Sequence, residues 1–412
     1  MKLGRAAAWL GIILLAAGSA RGETWKGRNL LLSIDRAALR VGPLRIQLVL
    51  FLTDAGYDSN IYGQIDRPVK DYWLQAGPGI SVYVPIKKKI VFSLSESPRY
   101  VYFFETQRER AWNNYLQGEI SLLFNKVFVS GGGFYNNSKF RYPFEIDIWP
   151  RLKETGGFGS FLYQAGKRTS FSIAARSTDY AFENLEDEFA NLKARMSRTE
   201  KYLTATAYFQ ATPRVMFSLS GEYGLIQFTD TAFSYGNSES RAAYLGIDFS
   251  PTGKIRGNIK IGYRQLLPQA AGISGFEGVV GNSTISVMVS RALTVRGQYS
   301  RDVFFSVWFD NAFLVDNRYS AGVSFYLIRR KIRLDYDYSL NRDSYLQRGG
   351  AAGIEAGSDR KIGNNYQTIG IFFRLGASTG IGLRGGTYDW RYSDYPKASV
   401  RTFVGLNLTY EY

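Results

Sequence analysis

From Leu44 to its last residue the chain repeats one pattern: segments of about 10 to 15 residues in which every second side chain is apolar. The last is typical. Val400, Thr402, Val404, Leu406, Leu408, Tyr410 and Tyr412 fall on one face, and Arg401, Gly405, Asn407, Thr409 and Glu411 on the other. A period of two makes each segment a strand with a greasy face and a wet one. Such strands build the wall of a soluble sandwich or the wall of a membrane barrel. The segments fall near 44–57, 72–84, 90–104, 114–125, 127–141, 156–165, 169–182, 201–211, 214–228, 241–250, 255–267, 279–290, 293–308, 318–328, 331–345, 365–376, 380–393 and 399–412. That predicts eighteen antiparallel strands, or sixteen if one weak pair merges. Either count leaves a water-filled lumen.

The two ends of the chain choose the membrane. Lys2 and Arg5 precede an apolar run from Ala6 to Ala17, and Gly18-Ser19-Ala20 supplies small residues for a signal peptidase. Residues 1–20 read as a signal peptide, 21–43 as a periplasmic lead-in and 44–412 as the barrel, with both termini periplasmic. That run is too short to span a bilayer as a helix, and no later one is longer. The terminal strand, closing on Tyr410 and Tyr412, resembles the assembly signal of bacterial outer-membrane barrels, which usually end on Phe or Trp. The resemblance implies an outer-membrane location and handling by the barrel assembly machinery.

Composition removes most chemistries. There is no Cys and no His among 412 residues, so disulfides, thiol nucleophiles, c-type haem attachment, the usual zinc sites and catalysis through a His base are absent. No cofactor or metal is called for, and no enzyme. Aromatics reach 16% and Gly numbers 43, a mixture suited to strands, tight turns and interfacial belts. The formal charge of +16 fits an anionic membrane surface or an anionic solute, whereas nucleic acid is not expected of an exported barrel.

The links between segments alternate in length. Those after even-numbered segments are brief, and those after odd-numbered ones are mostly longer, such as 183–200 and 346–364. Short turns at one end and long loops at the other are the asymmetry of an outer-membrane barrel. The short turns carry Lys87, Lys88, Lys89, Lys126, Lys167, Arg168, Arg214, Lys254, Arg291, Arg329, Arg330 and Lys331 and no acid, a basic ring at the periplasmic mouth. Tyr72, Tyr115, Tyr202, Tyr319 and Tyr366 open descending strands and predict an outer girdle. In the 183–200 loop Leu185, Phe189, Leu192 and Met196 recur at helical spacing, for a helix that lies over the rim or one that folds into the lumen as a constriction.

With the apolar faces on lipid, Arg45, Arg256, Lys260, Arg264, Arg296, Arg333, Arg374, Arg384 and Arg401 line the pore, with Glu119, Glu222, Asp248, Asp335, Asp337 and Glu411. Bases outnumber acids. They either pair across strands and keep the lumen wet or make it prefer anions. Asp335 and Asp337 could imitate a glycosidase carboxylate pair, but two acids spaced by two on one strand face are ordinary lumen lining. Pro78, which cannot donate to a ladder, predicts a bulge or break in the second strand.

Ala55 to Gly63 reads AGYDSNIYG. This Tyr-Asp-Ser-Asn element resembles the end of an early strand in the outer-membrane porins of the group labelled beta-barrel porin 2; read from its side chains alone it is an Asx-rich turn. The resemblance implies a large porin, a monomer in contact with outer-membrane lipid and lipopolysaccharide. The function expected is a channel for polar, anionic solutes or for an exported polysaccharide, the latter with an anionic polymer or a periplasmic export partner at the basic ring. The competing class is a binding barrel: a sheath for a multihaem cytochrome, or an adhesin displaying its loops.

Overall fold

The computed structural model describes residues 24–35, 37–87, 89–141, 148–184, 191–249, 253–308, 311–328, 331–346, 361–376, 379–393 and 397–411. The signal peptide and the expected mature start lie outside them. A helix, α1 (Trp25–Asp35), and a short strand, β1 (Leu39–Val41), precede β2 (Leu44–Asp58), β3 (Asp71–Ile86), β4 (Ile90–Glu96), β5 (Arg99–Phe103), β6 (Ala111–Leu123), β7 (Val127–Lys139), β8 (Arg151–Gln164) and β9 (Thr169–Phe182). A five-residue helix, α2 (Leu192–Met196), leads to β10 (Arg198–Thr212), β11 (Val215–Phe228), β12 (Ser238–Phe249), β13 (Ile255–Pro268), β14 (Phe276–Met288) and β15 (Leu293–Phe305). The chain finishes with β16 (Phe313–Leu327), β17 (Ile332–Leu346), β18 (Lys361–Arg374), β19 (Thr379–Tyr392) and β20 (Ser399–Glu411).

Successive strands pair antiparallel, except that β4 and β5 both pair with β3 and β6, and β2 pairs with β20, which closes the sheet. β4 and β5 are two halves of one stave, and β1 only extends the edge of β2, so the barrel has eighteen strands. The break expected at Pro78 lies on its neighbour. β3 is continuous and pairs Pro78 with Leu50, while the stave opposite parts at Ser97-Pro98. A Cβ at Gly77 would strike the Pro98 carbonyl, so glycine permits that close approach.

The alternation sorts as expected for a wall between lipid and water. Leu94, Leu203, Leu219, Leu245, Ile261, Val295 and Ile369 are exposed on the outside. A closed barrel satisfies its backbone polar groups internally and offers this apolar exterior, which is what a bilayer requires of a spanning sheet. Among the described residues no helix is long and apolar enough to cross a membrane. Seven strands that descend from the long-loop end, β6, β8, β10, β12, β14, β16 and β18, begin three to five residues earlier than the alternation indicates, β12 at Ser238 and β16 at Phe313. There the outward positions include Glu239, Arg241 and Glu277, polar residues that leave no period-two signal.

Candidate functional site: the lumen

The barrel narrows from both ends. At the short-turn end α1 lies against the inner wall of the first half: Ile34 clusters with Val91, Leu123, Phe128 and Leu162, flanked by Tyr83 and Tyr208. These wall residues are inward by register, since Phe128 opposes both Leu123 and Leu162. Trp25 meets Tyr208 edge-on at 6.0 Å. Burial holds the Lys26 ammonium below its ordinary pKa, with Glu119 opposing that effect.

At the long-loop end two segments fold inward. The tip of the β15–β16 hairpin is buried on both faces, with consecutive Phe313, Leu314, Val315 and Asp316 all covered. One face packs on inward residues of β13 and β14, namely Leu266, Phe276 and Val280. Phe305 reaches across to Phe228 of β11 at 5.1 Å, and the Arg198 guanidinium lies over its ring at 4.7 Å. α2 belongs to the same cluster through Leu192 and Met196, and Arg195 donates to the Val307 carbonyl at 3.1 Å. Of the two readings of the 183–200 loop, its described part follows the lumenal one; Leu185 and Phe189 lie outside the described residues. The second segment follows β7. Arg141 donates to Asp58 at 3.1 Å, and the Trp149 indole donates to the Ile61 carbonyl at 2.8 Å.

Asp58, from the AGYDSNIYG stretch, is a hub. Its Oδ1 accepts from the Asn60 amide at 3.0 Å, the Asx turn expected. Its Oδ2 also accepts from Arg401 of β20 at 2.6 Å. The Ser59 amide and hydroxyl exchange bonds with Thr402 at 2.9 and 2.8 Å, and Asn60 reaches the Val400 carbonyl. The motif staples first strand to last.

Between the two constrictions the inner wall is charged, and every described residue expected there faces inward by register. Arg264 bonds Glu222 at 2.9 Å, Asp302 at 2.7 Å and the Tyr244 hydroxyl at 2.8 Å, while Lys260 sits 3.8 Å over the Tyr244 ring. Arg296 bonds Asp337 at 2.8 Å and also Ser324, and Arg333 bonds Asp335 at 2.7 Å. Arg333 lies over Phe372 at 4.9 Å and Arg384 over Phe403 at 5.7 Å. Arg296, Arg333, Asp335, Asp337, Arg384 and Asn407 line a recess of about 380 Å³. The Phe372 ring packs over Gly380 and Gly382 of β19, where a Cβ at either position would meet it. Arg45, Arg256 and Arg374, nearer the short turns, donate to carbonyls of Gly42, Gly253 and Gly376. Asp248 faces the lumen opposite Asn258. Glu119 accepts from Ser121 at 2.9 Å. The side chains of Glu411 and Tyr412 lie outside the described set, and Tyr410 is exposed on the outer face.

The sequence reading missed inward charges as well. Arg198 pairs with Glu200 at 2.7 Å, Arg318 with Asp316 at 3.1 Å, and Asp302 holds Arg264. Asp302 was findable, since it continues the parity of Arg296, Gln298 and Ser300. Among the described residues no three His, Cys, Asp or Glu gather as a metal cluster.

Of the ring, Lys87, Lys89, Lys126, Lys167, Arg168, Arg214, Lys254, Arg291 and Lys331 are exposed; Lys88, Arg329 and Arg330 lie outside the described residues. The tyrosine girdle needs correcting. Tyr72 and Tyr319 face out, but Tyr115 lines a recess with Gln47, Ser81 and Ser95, and Tyr202 and Tyr366 share the inward register of Arg176 and Ser339. The outer belt near the long loops is completed by Phe104, Trp112, Tyr223 and Tyr263, and Phe171, Phe209, Phe217 and Phe325 form a second belt near the short turns. Strand onset fixes a residue's depth, whereas parity decides its face.

A closed eighteen-strand barrel with an apolar exterior, two aromatic belts and a charged lumen is the fold of a bacterial outer-membrane porin. Solved structures agree. The outer membrane protein opdK from Pseudomonas aeruginosa superposes with a TM-score of 0.53 at 10% identity, covering 89% of this chain and 99% of that one. OccK2 (OpdF) of the same organism, in complex with glucuronate, gives 0.50 at 8% identity over 89% and 98%. OpdK with vanillate gives 0.50 at 10% over 89% and 98%. No family model matches the sequence, and no curated protein does; the likeness to beta-barrel porin 2 therefore rests on AGYDSNIYG and the strand pattern.

Proposed function

We propose that this barrel is an outer-membrane channel that admits small anionic solutes, with the short turns and both termini on the periplasmic side. The observation that carries the reading is the recess under Arg296, Arg333 and Arg384, with Asn407 and the face of Phe372 beside it. Guanidinium forks match a carboxylate in two parallel hydrogen bonds, and an aromatic face suits the flat or apolar body of a small organic acid. Asp335 and Asp337 hold two of those guanidinium groups in place, so an entering anion exchanges partners with them. The solved channels described above with glucuronate and vanillate carry carboxylate ligands of this size, which supports the reading by analogy of fold.

The in-folded hairpin and α1 favour small solutes over an exported polysaccharide, and they occupy space that a cytochrome sheath would need. Uptake into proteoliposomes tests the proposal. Small carboxylates should enter faster than neutral sugars of equal size, and R296Q, R333Q and R384Q together should abolish the difference. Equal rates in the unaltered protein would refute it.

A further inference from the structure

The outer wall carries a basic cluster that the lumen does not use. On β16 to β20 the described outward side chains are apolar or neutral except near the long loops, where Arg342, Lys361 and Arg391 face out, exposed, with Asp389 as the single acid. The register gathers the three bases around one glycine. Gly363 directly opposes Arg342 on one side and Arg391 on the other, and Lys361 is the next outward residue along the same strand. Arg342 and Arg391 therefore start about 10 Å apart, two strand spacings. A Cβ at Gly363 would strike Arg342 Nη1, so this guanidinium lies across β18 toward Arg391, over a gap that glycine leaves. Ser393 Oγ accepts from the Lys361 amide at 3.1 Å, which keeps the top of β18 beside that of β19.

Among the described residues no acid forms an ion pair with any of the three. Other outward bases near the long loops are already held. Arg241 pairs with Glu239 at 3.0 Å and Lys153 with Glu183 at 3.1 Å, while Arg301 donates to Asn317 at 2.6 Å and to the Val279 carbonyl at 3.0 Å. Like charges on neighbouring positions of one sheet face repel, and an anion that bridges them relieves the repulsion. A phosphate suits the guanidinium fork and the ammonium point charge together.

The cluster also has a fixed relation to the membrane. Asn317 directly opposes Arg342, and Tyr319, the next outward residue below it, belongs to the outer belt, 5.2 Å from Tyr299. The bases thus stand on the headgroup side of the belt, and exposed Tyr336, Ile369 and Val404 carry the same face down into the apolar band. Phosphate above and hydrocarbon below are the chemistry of a lipid, not of a soluble anion.

We propose that Arg342, Lys361 and Arg391 bind the phosphorylated sugar headgroup of an outer-leaflet glycolipid, the lipid A end of lipopolysaccharide, with its acyl chains on the wall below. The site rests on the orientation proposed above, with the long loops outside, and is independent of what the lumen passes.

The test is native mass spectrometry of the full-length barrel in detergent, titrated with bisphosphorylated lipid A. Saturable binding is expected, at least tenfold tighter than that of phosphatidylglycerol and not displaced by inorganic phosphate. R342Q, K361Q and R391Q together should weaken it at least tenfold, with the folded gel band and carboxylate uptake unchanged. G363V, which fills the gap under Arg342 and leaves every charge in place, should also weaken it, whereas K201Q, an outward base on β10, should not. Binding that survives the triple variant, equal binding of phosphatidylglycerol, or displacement by inorganic phosphate would overturn the assignment. An epitope placed between β13 and β14 tests the orientation separately: detection on intact cells supports it, and detection only after the outer membrane is permeabilised would overturn it.

Discussion

Arg401 Nε lies 2.6 Å from Asp58 Oδ2, across the seam where the last strand of the barrel meets the first. Asp58 is 2% exposed, and Arg141 reaches the same oxygen from the loop after β7. One carboxylate therefore joins closure of the wall to the infolding of a loop. Asp58→Ala leaves two guanidinium groups facing each other without their anion, and breaking a buried pair in this way costs about 3–5 kcal/mol. The folded band on a semi-native gel should convert at a clearly lower temperature, and Asp58→Asn should fall between. Conversion temperatures equal to that of the unaltered protein would show that the seam does not depend on this hub.

α1 stands between the short-turn mouth and half of the lumen. Ile34 is 2% exposed in its contact with Val91, Leu123 and Leu162, so Ile34→Asp places a charge where only apolar atoms meet it. The helix should detach while the wall stays closed, because no strand pairs with it. Single-channel conductance in a planar bilayer should rise, with gel mobility of the folded form retained. Unchanged conductance would mean that α1 lies outside the permeation path.

The barrel itself was legible because lipid on one side and water on the other impose a period of two on every stave, and strand number, short turns and inward charges follow from that period. The signal fails where the wall leaves the bilayer. Glu239 and Arg241 face outward there with no lipid to select against them, so strand onsets come too late. Tyr202 was read as belt because position along a strand was mistaken for face. The lumenal route of the β15–β16 tip had no local signature either: Phe305 and Phe313 look like ordinary strand residues, and only their cluster with Phe228 of β11 and Phe276 of β14 reveals it. Asp58 was noticed as part of a motif, but its partner lies 343 residues away, beyond what spacing can report.

The exposed bases of the short turns have no acidic partner among the described residues. Same-sign charge around an entrance concentrates anions there, over a range of about 8 Å at physiological salt. Replacing Lys87, Lys89, Lys126, Lys167, Arg168 and Lys331 with Glu should lower anion preference at low salt and have less effect at high salt. An effect that does not depend on salt would argue for a structural role instead.

Tyr62, in the loop after β2, donates to Glu109 at 2.9 Å and accepts from Arg108 at 2.8 Å. Burial pushes its phenol up to about 12 from 10.0, against the lowering effect of Arg108. Its raised value means that the folded state resists ionisation while the unfolded chain does not. The stabilising contribution is whole below pH 10 and fades as pH climbs toward 12. Between about pH 9 and about pH 11.5 the unaltered protein should therefore lose more thermal stability than Tyr62→Phe, which has no proton to lose there. Parallel losses would show that this phenol does not set the alkaline limit.

The central claim is that the lumen selects anions through Arg296, Arg333 and Arg384. The reversal potential across a planar bilayer under a KCl gradient measures it most directly. The account predicts a potential of the sign for chloride over potassium, shrinking toward zero when the three arginines become Gln and restored when they become Lys. A potassium-selective potential, or one that the Gln variant leaves unchanged, would contradict it.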